Sequence, residues 1–369
     1  MNSKEIQFLS ELTIIIPTYN RPLALERTIE YWRDLPVTVH ILDGSEKPYF
    51  ADGLQFETKN IYYYSFPSER ETWQENWGRR LEFGTSKMTT KFSALCCDDD
   101  VFTLSGLNIA FNLLNSEEVD VVAGKAGEYL IQNGFVEWVH KYPKWQYQEE
   151  QQSSNIYERL MFQGGTHGFY AIYRSEKLIK VHRLGHMYRF PVPIWHEMLV
   201  ITLIKVFCRI KFIDDIFWLK HGIAYPAARP IKFAQLFWDK QFVNHKRDFI
   251  DGLQKGIEIA EPTFSKNEID NLVTTFTSRY KRPRWSTRLV HKVKVQILRT
   301  LGVLPPIIRK LVFACLSVNL QRRIGNSKFE VNFKPVIPLS DSDFKDDSLK
   351  NWERILLMPR EELRLRANI

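Results

Sequence analysis

Short apolar runs alternate with amphipathic stretches through the first hundred residues. Leu12–Pro17 (LTIIIP) is continuously apolar and β-branched, the pattern of a strand buried on both faces of a parallel sheet. The polar break Thr18–Pro22 leads into a helical pattern over Leu23–Leu35, with Pro22 suited to its first turn. Val37–Leu42 predicts a second buried strand, closed by the turn Asp43-Gly44-Ser45, and Asn60–Ser65 (NIYYYS) a third. Ser68 with Glu71 three residues on is a capping-box signature for a helix reaching Phe83. Lys91–Cys97 is a fourth strand and runs straight into Asp98-Asp99-Asp100. This order predicts an α/β domain with a mostly parallel sheet flanked by helices, of the nucleotide-binding kind.

Further along, the pattern predicts a helix over Gly106–Asn115 and strands at Asp120–Ala123, Gly127–Ile131 and Phe135–Val139, the last two joined as a hairpin. A strand ends at Arg174, a helix starts at Ser175, and another spans His196–Phe207. Strands follow at Arg209–Ile213 and Ile216–Leu219, and from Phe233 the chain turns helical. Three parts are expected: a catalytic domain over 1–235, a basic helical extension over 236–330, and a tail over 331–369 with a short terminal helix.

Composition narrows the class. Of 369 residues, 44% are hydrophobic and 25% charged, as in folded globular proteins. The four cysteines form no CxxC pair, which argues for buried thiols in a reducing compartment and against a disulfide framework or a zinc ribbon. The N-terminus has no signal-peptide pattern. The net charge of +8 is an average: Arg279–Phe329 carries 13 Lys/Arg and no Asp or Glu, leaving a mildly acidic body. A protein coated with base for nucleic acid would not divide its charge this way, so no nucleic-acid partner is expected. Pro305, Pro306, Arg309 and Lys310 interrupt the apolar stretch 301–320, which argues against a spanning helix. The basic segment 279–329 reads as an interfacial element on an anionic membrane surface, or as a helical cap with a basic face.

Three aspartates at the end of a buried strand repel one another unless a cation or several donors sit among them. In an extended stretch Asp98 and Asp100 point to the same side. Such a pair suits Mg²⁺ or Mn²⁺, hard cations that bridge carboxylates and phosphates.

Taken together, LTIIIPTYNRP, the strand ending ILDGS, the helix bearing Asn76-Trp77-Gly78-Arg79-Arg80 and the strand ending in DDD resemble the family 2 inverting glycosyltransferases of GT-A fold, over roughly residues 10–225. The resemblance implies a nucleotide-diphosphate sugar donor held by Thr18, Tyr19, Arg21, Asp43, Arg80, Asp98 and Asp99. It implies Mn²⁺ or Mg²⁺ at Asp98 and Asp100, completed by His221, and Arg229 as a lid over the diphosphate. The family's general base stands in an acidic pair at a helix start. Here the matching stretch is Pro193-Ile194-Trp195-His196-Glu197, which makes Glu197 the base, with His196 the runner-up. Gly165, His167 and Trp195 would line the acceptor site. The sequence has Asp43-Gly44 where the family often shows two acids. The implied activity is transfer of a sugar to a hydroxyl of a saccharide or lipid-linked acceptor in cell-surface polysaccharide or lipopolysaccharide synthesis. The expected location is cytoplasmic, peripheral to the inner face of the membrane.

Other readings fit less well. A sugar-nucleotide nucleotidyltransferase wants glycine in its first phosphate loop, and Thr18–Pro22 has none. A haloacid-dehalogenase-type phosphatase wants its aspartates on the first strand. A non-catalytic carbohydrate- or nucleotide-binding protein gives no reason for the aspartate cluster.

Overall fold

The computed structural model describes residues 8–50, 60–67, 73–116, 118–132, 135–140, 152–162, 170–190, 192–221, 233–280, 337–338 and 347–366. Its centre is the parallel run anticipated from the apolar segments. Strand β1 (Leu12–Thr18), buried at every position, lies between β2 (Thr38–Asp43) and β4 (Phe92–Leu95), and β2 continues to β3 (Ile61–Ser65), all parallel. The first connection is helix α1 (Pro22–Trp32), which carries proline in its first turn as expected. Helix α2 (Trp73–Ser86) precedes β4, while the Ser68 capping box lies outside the described residues.

After β4 the sheet becomes mixed. The two-residue strand β5 (Val101–Phe102) leads into α3 (Leu104–Ser116), then β6 (Val121–Gln132) and β7 (Phe135–His140) pair antiparallel. Helix α4 (Ile156–Met161), strand β8 (Ile172–Arg174), α5 (Ser175–His186), α6 (Pro193–Phe207) and β9 (Ile210–His221) follow. The sheet order is completed by β10 (Ile337–Pro338) and reads β10-β7-β6-β8-β4-β1-β2-β3, with β9 joined to β5 and β6.

Two expected breaks are absent. Asp120–Ala123 and Gly127–Ile131 belong to one strand, β6, and Arg209–Ile213 and Ile216–Leu219 to one strand, β9. The two run parallel, with register shifts at Gly124–Ala126 where a bulge absorbs the irregularity. Gly124, which falls between the two segments expected as separate strands, is there for close approach: a Cβ would stand 2.4 Å from the Phe217 Cβ. Helix α6 begins at Pro193, earlier than expected, so Trp195, His196 and Glu197 all fall inside it.

Apolar side chains pack on both faces of the sheet. One face is covered by α1 and α3 through Leu25, Ile29, Trp32, Leu107 and Leu114. The other is covered by α2, α5 and α6, and behind them by α7 (Phe233–Phe237), α8 (Val243–Ala260) and α9 (Lys266–Thr277). Residues 347–366 pack against the sheet and α1. Helix α10 (Asp347–Leu357) buries Leu349, Trp352, Ile355 and Leu356 in the first of these cores, against α1 and β7. Helix α11 (Arg360–Arg366) sets Arg360 on the fully buried Glu26 of α1, with Nε 3.0 Å from Oε2. Among the described residues no helix is long and apolar enough to cross a membrane. Of the basic segment, only Arg279 and Tyr280 are described, and Arg279 donates to the Leu160 and Met161 carbonyls at the end of α4.

Candidate active site

The carboxyl ends of β1, β2 and β4 meet at one edge, where open α/β sheets bind ligands. The register sets Thr18, the last residue of β1, opposite Asp43, the last of β2. The chain then turns sharply: Asn20 adopts a left-handed φ of 53°, a conformation asparagine tolerates, and its N–H donates to Ser45 Oγ at 2.8 Å. The turn aims Arg21 back across the edge. Arg21 Nη1 donates to Asp98 Oδ1 at 2.8 Å, its Nη2 donates to Asp99, and Thr18 Oγ1 donates to Asp98 Oδ2 at 2.6 Å. Tyr19 is half-buried within this turn.

Asp98 and Asp100 do not share a side as a continuing strand would require. β4 ends at Leu95 and residues 97–100 form a turn, closed by the Asp100 N–H on the Cys97 carbonyl at 3.3 Å. Asp98 therefore faces Thr18 and Arg21, while Asp99 and Asp100 converge with Cys97, with ligand atoms within 4.8 Å of one another. Burial pushes the Asp98 carboxyl up to about 6, against the opposing pull of Thr18 and Arg21. Asp100 is pushed well above the usual carboxylate range, by burial first and by Asp99 next. Two carboxylates crowded into one turn suit a hard divalent cation. The Cys97 thiol, which burial holds protonated, does not.

β9 closes the site from the other side. Pairing of Val101 with Leu219 carries His221 to the aspartate turn, where its N–H donates to Asp100 Oδ1 at 3.3 Å. The His221 ring lies 5.3 Å from that of Tyr129, whose hydroxyl donates to the Asp99 carbonyl at 2.6 Å. An open cavity of about 280 Å³ lies here, lined by Arg21, Arg27, Asp99, Tyr129, His221 and Trp352.

Arg80 is fully buried, not a surface arginine. Its Nη1 donates to the carbonyls of Thr18 at 2.6 Å and Leu42 at 3.1 Å, which ties β1 to β2. Burial lowers its pKa to about 10, offset by Asp43 and Asp98, and its Nε and Nη2 have no partner among the described residues. Asp43 is held by the N–H of Ser45 at 2.8 Å, the N–H of Tyr49 at 3.2 Å and the hydroxyls of Ser45 and Tyr63. Gly44 explains the missing second acid, because a Cβ there would lie 2.5 Å from Asn76 Oδ1 and 2.6 Å from Arg80 Cζ. Gly44→Ala should destabilise the protein by about 1–3 kcal/mol through forced displacement of the guanidinium. Urea unfolding measures it, and an unchanged midpoint would show that the arginine has room to move.

The helix expected to carry the base divides its three residues. Trp195 is fully buried among Phe190, Phe233 and Phe249, so it is a core side chain and cannot line an acceptor site. His196 is also buried, its ring stacked 5.0 Å from that of His186, which removes it from contact with an acceptor hydroxyl. Glu197 is exposed, and desolvation raises its carboxyl above the ordinary value. Gly165, His167 and Arg229 lie outside the described residues.

Three residues at the cavity escaped the sequence reading: Arg27, Tyr129 and Trp352. Only Trp352 left a trace, in the spacing of Leu349, Trp352, Ile355 and Leu356 on one helical face.

Residues 13–181 match the family model described as glycosyl transferase family 2. A comparison with curated protein sequences finds no significant match. Among solved structures, Staphylococcus aureus TarS (residues 1–349) in complex with UDP superposes with a TM-score of 0.43 at 14% identity, over 73% of this chain and 71% of that one. The same fragment in complex with UDP-GlcNAc gives 0.43 and 14%, over 73% and 72%. Similarity of this size defines neither ligand nor chemistry.

Proposed function

We propose that this chain, whose residues 13–181 match the glycosyl transferase family 2 model, moves a sugar from a nucleotide-diphosphate donor to a hydroxyl of a saccharide or lipid-linked acceptor, with inversion. The observation that carries the reading is the meeting of Thr18, Arg21, Arg80 and the Asp98–Asp100 turn at one sheet edge beside an open cavity.

In this reading the loop Thr18–Arg21 and the Asp43 end of β2 hold the nucleoside. Arg21, freed from the aspartates as donor enters, faces the diphosphate, and the buried Arg80 holds the ends of β1 and β2 beneath it and adds positive charge there. Asp99 and Asp100, with Asp98 and His221 beside them, would hold Mn²⁺ or Mg²⁺. A divalent ion bound there neutralises charge developing on the departing nucleoside diphosphate. Glu197 takes the proton of the acceptor hydroxyl as that oxygen attacks the anomeric carbon from the face opposite the leaving group. Its raised carboxyl strengthens it as a base near neutral pH. Arg229, Gly165 and His167 remain candidates for the lid and the acceptor floor.

Thermal unfolding in Mn²⁺ with a panel of UDP-, GDP-, dTDP- and CMP-sugars tests donor binding: one nucleotide class should raise the melting temperature, and no shift with any would overturn the assignment. Glu197→Gln should slow transfer about 100-fold while leaving donor affinity unchanged, which steady-state kinetics beside donor titration would separate.

The basic stretch 279–329 would hold the enzyme on the inner face of the cytoplasmic membrane, beside a lipid-linked acceptor of surface-polysaccharide synthesis. Its charge of +13 supports this. Flotation with anionic and with neutral vesicles should show binding to the former alone, lost at high salt.

A further inference from the structure

A second cluster of ligating side chains lies apart from the aspartate turn, between α5 and α6. His182 and His186 sit one helical turn apart on α5, and His196 faces them from α6. One ring nitrogen from each lies within 4.8 Å of the other two. The ring centroids of His182 and His186 are 5.4 Å apart, and those of His186 and His196 5.0 Å. His182 is completely buried and His196 is 8% exposed. Five of the six ring nitrogens, Nδ1 and Nε2 of His182 and His186 and Nε2 of His196, are buried without a hydrogen-bond partner among the described residues.

A neutral imidazole has one N–H and one lone pair, so a buried ring normally satisfies both. Three rings that satisfy almost none of theirs and converge on one point are poorly explained as packing alone, since leucine would fill the space without stranding polar atoms. We propose that His182, His186 and His196 form a tris-histidine site for a borderline divalent transition metal, Zn²⁺ foremost, which fastens α5 to α6.

The donor set fits. Imidazole nitrogen is a ligand for Zn²⁺ in preference to Mg²⁺ or Ca²⁺. A histidine pair at i, i+4 on one helix face is a recurrent chelating unit, here with a third ring from the neighbouring helix. Two nitrogens on one tetrahedral zinc stand about 3.4 Å apart, so the 4.8 Å cluster closes by rotation of the rings. Burial holds all three rings neutral, His182 near 3 and His196 near 4, which is the protonation state that ligates. Among the described residues no fourth His, Cys, Asp or Glu joins the group, so water takes the remaining position. The metal would anchor the start of α6 next to Glu197. Only that consequence rests on the transferase reading; the site itself does not.

The test uses the full chain without a histidine tag. Purified protein is stripped with chelator, loaded with Zn²⁺ in excess Mg²⁺ to occupy the aspartate turn, desalted and assayed by mass spectrometry of the metal. One zinc per chain is expected, with a rise in melting temperature. Co²⁺ loading should give the visible bands of a four-coordinate nitrogen-rich site. His182→Gln with His186→Gln should weaken Zn²⁺ at least ~100-fold and abolish those bands, while Asp100→Asn keeps both. Should the double variant not fold, His186→Asn alone, at the least buried of the three positions, carries the comparison. A wild-type chain retaining well under one zinc, a Co²⁺ spectrum typical of octahedral oxygen ligation, or a stoichiometry unchanged in the histidine variants would each overturn the proposal.

Discussion

Asp100→Asn is expected to reduce transfer about 1000-fold and, at the same time, to make the metal-free protein more stable. The two effects share one cause. Asp100 is 5% exposed, next to Asp99, and takes hydrogen bonds from the His221 N–H at 3.3 Å and from the Trp218 side chain. Asparagine keeps an oxygen for that N–H and removes the charge that burial and Asp99 disfavour. The catalytic loss follows because a neutral amide holds a divalent cation poorly, and the leaving diphosphate then keeps its charge.

The sign of the pH dependence follows from raised carboxyl pKa values. A carboxyl whose pKa is higher folded than unfolded stabilises the fold only while protonated, so that stability is full below the unfolded value and lost as pH rises through the folded one. For Asp98 the window runs from 3.8 to about 6, and Asp100, raised by burial and by Asp99, contributes in the same direction. Calorimetry in chelator should therefore show the wild type losing stability as pH rises from 4 to 7. Asp100→Asn should flatten that slope, and saturating Mn²⁺ should reverse it in the wild type. A variant less stable than the wild type throughout would mean that the charged form of Asp100 is already well compensated.

The second large effect lies at the other end of the chain. Trp352→Ala should cost about 3–5 kcal/mol of stability and weaken donor binding as well. Trp352 is fully buried, edge-on to Tyr31 at 5.5 Å and to Tyr129 at 6.1 Å. Tyr129 in turn donates to the Asp99 carbonyl, so the tryptophan backs the residue that holds the aspartate turn. Chemical denaturation gives the stability change, and donor titration well below the new melting temperature gives the binding change. Unaltered donor affinity in a destabilised variant would restrict Trp352 to packing. Arg360→Ala, by contrast, removes a half-exposed partner, and its direct contribution is small unless Glu26 is left buried with its charge.

The parallel half of the sheet was legible because its signals are local. Continuous apolar runs such as LTIII declare a strand buried on both faces, and Pro22 marks the start of α1 wherever the rest of the chain goes. The strand break inferred in β6 failed because Gly124 serves a contact with Phe217, a neighbour 93 positions away that no local window contains, while β9 simply continues through the exposed pair Asp214 and Asp215. The motif residues were legible as a set but not as geometry. Asp98 and Asp100 were expected on one side because a strand alternates, but the strand ends at Leu95 and the turn exchanges Asp98 for Asp99 as the neighbour of Asp100.

By itself, the sequence determined the α/β class, the order of the first strands and helices, the acidic turn and the family it resembles. All follow from periodicity, turn chemistry and residue types close together in the chain. The tertiary structure alone decided where side chains point and what they meet. It buried Arg80 between β1 and β2, placed Trp195 and His196 in the core while leaving Glu197 exposed, and folded α10 back against α1 so that Trp352 reaches the cavity. These outcomes depend on contacts between segments tens to hundreds of residues apart, and burial and electrostatic environment are properties of such contacts.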